Sequence, residues 1–208
     1  MKSVCLHFSG SRNKGQENNC CKPLFTFFAL FFFAGLFHFV ACNSSPPPQD
    51  AKTRDFVRQI QGVYEKASEK IPSKLVSRDN SKVDLALADI YAEAQAAGNR
   101  LPFGLGVVDE KGRVVAVRTP SPDSPFGVKG KGIDQDYSKY KVFAKALSGG
   151  RLSMGRLYIE NTSFLVVCGP LRQKGKVVGA LGIKMSEDLV RERAGVPVEE
   201  FLKININF

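Results

Sequence analysis

From residue 51 onward the apolar positions first repeat with a helical period and then with a strand period. Phe56, Ile60, Val63, Ala67 and Ile71 form one stripe of a 3.6-residue helix, which predicts a helix over 51–71 stopped by Pro72. A second helix is expected from about Ser81, where Ser81-Lys82-Val83-Asp84 approximates a capping box. Its apolar face is Val83, Leu87, Ile90, Tyr91, Ala94 and Ala97, and Gly98 suits its C-terminal end. The remainder alternates. A strand over 103–108, a turn at 109–112 and a partner strand over 113–119 read as a hairpin. A loop rich in Pro, Gly, Ser and Asp follows over 120–136, then a short helix over 137–147. Three further strands are expected over 152–160, 162–171 and 176–185, and one weak helical segment over 198–203. The pattern is an α+β domain, N-terminal helices packed on a five-stranded antiparallel sheet, over 51–187 with a C-terminal tail over 188–208.

The first 41 residues differ in kind. An apolar run over 24–41 has only Thr26 and His38 as polar members, and the basic residues Lys2, Arg12, Lys14 and Lys22 precede it. This is the layout of an export signal; at eighteen residues it is also near the lower limit for a membrane-spanning helix. The run ends Phe39-Val40-Ala41-Cys42 and is followed by Asn43-Ser44-Ser45-Pro46-Pro47-Pro48, without the basic or interfacial residues that usually close a retained anchor.

Val40-Ala41-Cys42 resembles the bacterial lipobox, with Phe39 where that motif prefers Leu. The resemblance implies a signal peptide over 1–41, cleavage before Cys42 and lipid on the Cys42 thiol. The partner is then membrane lipid, reached through a Ser/Pro-rich tether over 42–50. Two acyl signals hold a protein stably where one holds it marginally. A retained transmembrane helix and a secreted form are the competing readings. By resemblance to enterobacterial sorting, Asn43 favours an outer-membrane lipoprotein facing the periplasm where two membranes exist. The tether reaches about 25 Å at roughly 3.3 Å per residue, which keeps the domain near the headgroups.

Charge and cysteine usage narrow the chemistry. The formal net charge of +10 falls to +7 without residues 1–41, which carry four basic residues and one acidic one. That balance suits an anionic surface or an anionic small ligand. No helix-turn-helix, RNP-type or finger motif is present, so no nucleic-acid partner is expected. Cys168 alone remains after Cys42, inside the apolar run Phe164-Leu165-Val166-Val167-Cys168, where a buried inert thiol is expected. Both histidines, His7 and His38, precede Cys42, which disfavours histidine-based catalysis and metal binding. No cofactor motif stands out, and no enzyme activity is expected.

Three segments in order carry a resemblance: Val107-Val108-Asp109-Glu110-Lys111-Gly112-Arg113-Val114-Val115; Gly132-Ile133-Asp134-Gln135-Asp136-Tyr137-Ser138 with a helix ending Ala146-Leu147-Ser148-Gly149-Gly150; and Gly169-Pro170-Leu171 with Gly175-Lys176-Val177-Val178-Gly179-Ala180-Leu181-Gly182-Ile183. Together they resemble the single Cache (PAS-like) extracytoplasmic sensor domain. That resemblance implies a small-molecule ligand, carboxylate or amino-acid-like, held between the sheet and the loop-plus-helix crossing it. It also implies a membrane receptor or transporter as the partner that receives the signal.

In such a site the candidates are Arg118, Tyr137, Arg156, Tyr158 and Lys184. Arg118 ends a strand read as placing Val114 and Ala116 on the same face, where a guanidinium suits a carboxylate; a surface arginine is the competing reading. Tyr137 stands where loop meets helix, as hydrogen-bonding group or packing aromatic. Arg156 and Tyr158 share one face of a strand, inward or outward. Lys184 alternates with Ile183 and Met185 near a strand end. Asp134 and Asp136 are expected to cap the short helix. The functional expectation is a lipid-anchored domain binding a small anionic metabolite for a sensory or uptake partner. The alternative is a structural envelope lipoprotein that binds another protein through its sheet.

Overall fold

The computed structural model describes residues 50–159 and 161–206. The signal segment, Cys42 and most of the tether lie outside the described residues. Among those described, no helix is long and apolar enough to cross a membrane.

Helix α1 (Ala51–Lys70) starts at Asp50, whose carboxylate accepts from the Lys52 amide, and buries Phe56, Val57, Ile60, Val63 and Ala67. Pro72 does end it, by opening a five-residue helix, α2 (Pro72–Val76), with proline at its first turn. Helix α3 (Asn80–Ala96) begins two residues earlier than the Ser81 cap would have it begin. Asp79 is the N-cap, accepting from the Lys82 amide at 3.1 Å. Gly98, at φ +74°, takes the left-handed position just past the end of α3.

Six strands follow, not five: β1 (Gly104–Asp109), β2 (Val114–Ser121), β3 (Ser124–Lys129), β4 (Ser153–Ile159), β5 (Thr162–Gln173) and β6 (Lys176–Ser186), in the order β3-β2-β1-β6-β5-β4. All neighbours are antiparallel. The extra strand, β3, lies within the segment expected to be a loop. Pro125 and Gly127 weaken its signal, and an edge position is where a strand tolerates them. The short helix is α4 (Lys141–Gly149), four residues later than expected, with Tyr140 as N-cap and Gly150 closing it at φ +56°. Asp136 caps the preceding turn instead, accepting from the Ser138 amide at 2.8 Å.

After β6 the chain forms α5 (Glu187–Ala194), which the sequence pattern did not announce, and α6 (Val198–Phe201). The Ser186 side chain caps α5, with Glu187 and Asp188 in its first turn and Arg191 and Arg193 in its last, the polarity that the helix dipole favours. Only Val190 and Ala194 of α5 are buried, too few for an apolar stripe.

The sheet therefore has helices on both faces. One face meets α1, α3, α5 and α6 around Phe56, Ile60, Phe103, Leu105, Leu181 and Phe201; the other meets α4 around Val108, Phe143, Val166, Cys168 and Ala180. Phe56 packs 5.6 Å from both Phe103 and Phe201, and the Thr53 hydroxyl donates to the Ala194 carbonyl at 2.6 Å. The last two contacts fix the start of α1 against α5 and α6.

Candidate functional site

Strand parity decides which side chains meet on the α4 face. Gly106 pairs with Val117 on β2 and Gly182 on β6; Gly104 pairs with Lys184, and Lys184 with Val166. Directly paired residues point to the same side of a sheet. Gly104, Gly106, Val117, Val166, Gly182 and Lys184 therefore share one face, and there they border a cavity of about 280 Å³.

Missing side chains leave the volume. A β-carbon on Gly106 would find only Val117 Cγ2, at 3.9 Å, so the space above β1 is open. One on Gly182 would stand 2.7 Å from the Phe143 ring, so that glycine lets α4 lie close to the sheet. The walls are the apolar Phe143, Leu157 and Phe164, with α4 closing one end.

The segment 130–137 closes the side over β1 and β2. It is laid along β2 by hydrogen bonds from the Val114 amide to the Gln135 carbonyl (2.9 Å) and from the Asp134 amide to the Val114 carbonyl (2.9 Å). The Tyr137 amide donates to the Gly112 carbonyl at 2.8 Å. That bond depends on the β1–β2 turn, where Asp109 Oδ1 accepts from the amides of Lys111 and Arg113, each at 2.9 Å. Gly112 itself lies at φ +83°. The Tyr137 ring is held edge-on between Tyr140 and Phe143, at 5.2 and 5.3 Å, and burial pushes its phenol pKa up. The hydroxyl stays protonated near neutrality and is available as a donor.

The polar groups of the cavity wall are Thr119, Lys131, Gln135, Tyr137, Thr162 and Lys184; no Asp or Glu lines it among the described residues. Lys184 Nζ lies 4.4 Å from the centre of the Phe164 ring, a cation–π arrangement that holds the amine at the mouth. Lys131, Gln135, Thr119 and Thr162 were not among the sequence candidates. For Thr119 the signal was its alternation with Val117; for the loop residues there was none. No group of three His, Cys, Asp or Glu is gathered for a metal ion among the described residues.

Two of the five sequence candidates, Tyr137 and Lys184, come together at this cavity; the other three lie on the opposite face. A bulge in β2 is the reason for Arg118. Val107 pairs with Ala116 but Val108 pairs with Val114, so Val115 is the extra residue and the alternation shifts. Val114 stays on the α4 face, while Ala116 and Arg118 turn to the other. There the Arg118 guanidinium clamps Asp84 of α3 through Nε and Nη2, both at 2.9 Å, and donates to the Phe126 carbonyl at 3.0 Å.

Lys129 reaches the same carboxylate at 3.3 Å. Burial of Asp84 opposes its charge, but these hydrogen bonds and cations together outweigh that and hold its pKa below the usual value. Arg156 pairs with Glu187 and Glu199, tying α5 and α6 to β4. Tyr158 is 66% exposed on that same face.

No family model matches the chain, and no curated protein matches it. Solved structures do. The ligand-binding domain of the Campylobacter jejuni chemoreceptor Tlp3, in complex with L-valine, matches at 12% identity and a TM-score of 0.51, covering 70% of this chain and 58% of that one. The extracellular domain of vpHK1S-Z8, described as a histidine kinase, matches at 13% and 0.54, covering 68% and 54%. A domain of a protein described as sensory box/GGDEF, from Vibrio parahaemolyticus, matches at 13% and 0.53, covering 68% and 58%. The chain thus spans less than two thirds of each of these neighbours, and at such identities the likeness is one of fold: a six-stranded antiparallel α+β domain similar in fold to the ligand-binding domain of that chemoreceptor and the extracellular domain of vpHK1S-Z8.

Proposed function

We propose that this protein is an extracytoplasmic sensor domain that binds a small anionic metabolite in the cavity over Gly104, Gly106 and Gly182 and is held to the membrane by lipid on Cys42. The observation that carries the ligand reading is the cavity itself: about 280 Å³, apolar walls, and cationic and hydroxyl groups at Lys131, Lys184 and Tyr137. Such a site fits a ligand with one apolar and one anionic end, the carboxylate meeting the amines and the Tyr137 hydroxyl. The neighbouring chemoreceptor domain, crystallised with L-valine, supports a ligand of that size. Signal output then passes to a separate membrane receptor or transporter.

Calorimetric titration of the full chain in detergent with a panel of amino acids and small carboxylates tests the ligand reading. One saturable binder, lost in Gly106→Val, is the expected result; no binder across the panel would count against it and favour the structural, protein-binding alternative. The anchor is tested separately by labelling cells with a radioactive fatty acid, where Cys42→Ser should abolish incorporation and equal labelling would refute lipidation.

A further inference from the structure

Charge is unevenly spread along the chain. Between residues 137 and 186 there are nine basic residues and one acidic one, Glu160. Two of the nine are accounted for above: Lys184 at the cavity and Arg156 in its ion pairs. The other seven, Lys139, Lys141, Lys145, Arg151, Arg172, Lys174 and Lys176, are all exposed, and none is in an ion pair among the described residues.

The fold brings several of them together at one end. Arg172 Nη2 donates to the Gly150 carbonyl at 2.8 Å and Nη1 to the Gly175 carbonyl at 2.9 Å, fastening the C-terminal end of α4 to the β5–β6 turn that carries Lys174 and Lys176. Beside that fastening runs a groove of about 750 Å³. Lys145, Arg151 and Arg172 stand along it, and Leu152, Met154, Leu202 and Ile204, all half-buried, contribute apolar surface. No Asp or Glu lines it among the described residues.

Cations with no ion-pair partner among the described residues, beside a groove whose wall is part polar and part apolar, complement an anionic amphiphile. We propose that this end of the domain docks on an anionic phospholipid bilayer, the lipid phosphates meeting Lys145, Arg151 and Arg172 and an acyl chain entering the groove. Each cation brought to an anionic leaflet strengthens attachment about fivefold, so a cluster of this size suffices for stable contact. An acidic protein face would satisfy the cations but leave Leu152, Met154, Leu202 and Ile204 without a matching chain, which makes it the less complete fit.

The position of the patch gives the docking an orientation. The start of α1 lies by Gly195, where Asp50 and Lys52 approach that glycine, past the end of β6. The basic turn lies at the start of β6, a strand whose eleven residues span about 35 Å, at the opposite end of that strand from α5. Contact at the basic end, with the N-terminal tether also at the membrane, would lay the sheet along the bilayer.

The test is hydrogen exchange on the full chain reconstituted in nanodiscs of phosphatidylcholine alone and of phosphatidylcholine with phosphatidylglycerol. The variant combines Lys145→Glu, Arg151→Glu and Lys174→Glu; all three side chains are exposed and unpaired, and Arg172 is kept because it holds Gly150 and Gly175. Amides over 148–152 and 173–177 should exchange about tenfold more slowly or better in the anionic discs, with the effect lost in high salt and in the variant. Equal exchange in the two lipids would overturn the proposal and leave an acidic protein as the occupant. Slowing that persists in the variant would overturn it too, by placing the lipid contact on another surface. Unchanged exchange in the variant of β1 amides, and of β6 amides beyond residue 177, is the check that its fold is intact.

Discussion

Gly106 on β1 stands directly opposite Gly182 on β6, and both face α4, so two adjacent strands are bare at the point where the cavity lies. The two glycines act differently, and substitution separates them. Gly106→Val projects into open space, its β-carbon 3.9 Å from the nearest side-chain atom, and should fill the cavity while leaving the melting temperature nearly unchanged. Gly182→Ala drives a methyl into the Phe143 ring and should destabilise the domain by about 1–3 kcal/mol, the usual cost of overpacking. Ligand titration and thermal melts on the two variants check both outcomes: the first should lose binding and keep stability, the second should lose stability.

The Arg118–Asp84 pair should prove structural. It joins β2 to α3, and the same guanidinium holds the β3 backbone through the Phe126 carbonyl. Arg118→Met keeps the length and apolar stem but leaves a largely buried carboxylate with Lys129 as its one remaining cation. A loss of about 3 kcal/mol is expected, toward the lower end for breaking a buried pair because that lysine remains. Ligand affinity should be unaffected after correction for the unfolded fraction, because the guanidinium points away from the cavity. Urea unfolding and titration of the variant measure the two effects independently.

These two sites illustrate what the residue pattern held and what it hid. The stripe on α1, the Asp109–Gly112 turn and the long strands β5 and β6 were legible because their signals are local: a period, a capping carboxylate, a left-handed glycine. Lys184 and Tyr137 were legible as candidates because one alternates in a strand that runs unbroken and the other sits at a loop–helix junction. Arg118 was misread by parity. Uninterrupted alternation put it beside Val114 and Ala116, and nothing in Val114-Val115-Ala116 announces that Val115 is an extra residue; the bulge becomes visible only when β1 pairs with β2. Strand β3 was hidden because its pairing with β2, and the ion pair of Lys129 with Asp84, outweigh a sequence containing Pro125 and Gly127. Lys131 and Gln135 reach the cavity through a loop path set by backbone bonds to β2, which side-chain pattern does not encode.

Cys168 should be chemically silent in the native protein. It is fully buried between β5 and α4, and burial in that apolar layer pushes its thiol pKa well above the ordinary value, so the reactive thiolate is scarce at neutral pH. Brief treatment of the folded chain with iodoacetamide, followed by peptide mass spectrometry, should leave the peptide containing Cys168 unmodified; the same treatment in denaturant should modify it completely. Native-state labelling at a rate near that of a free thiol would show that α4 lifts from the sheet readily.

Acid should weaken the fold, and Arg118 should be part of the reason. The Asp84 pKa is lowered in the folded protein: burial opposes its charge, and the bonds and charges of Arg118 and Lys129 outweigh burial. In the unfolded chain the group returns to about 3.9. A depressed folded-state pKa contributes stability that is complete above the unfolded value and is lost as pH falls through the folded one, because protonation then favours the unfolded chain. Wild-type stability, followed by urea unfolding from pH 6 downward, should therefore begin to fall near pH 4 and continue to fall below it. Arg118→Met removes the largest source of the depression, so its own profile should be flatter in that range. The stability gap between wild type and variant should accordingly be widest at neutral pH and narrow toward acid, where Asp84 is neutral and no longer needs a cation. A gap that stays constant with pH would mean that the arginine stabilises β3 through the Phe126 and Gly127 carbonyls alone, with Asp84 contributing nothing.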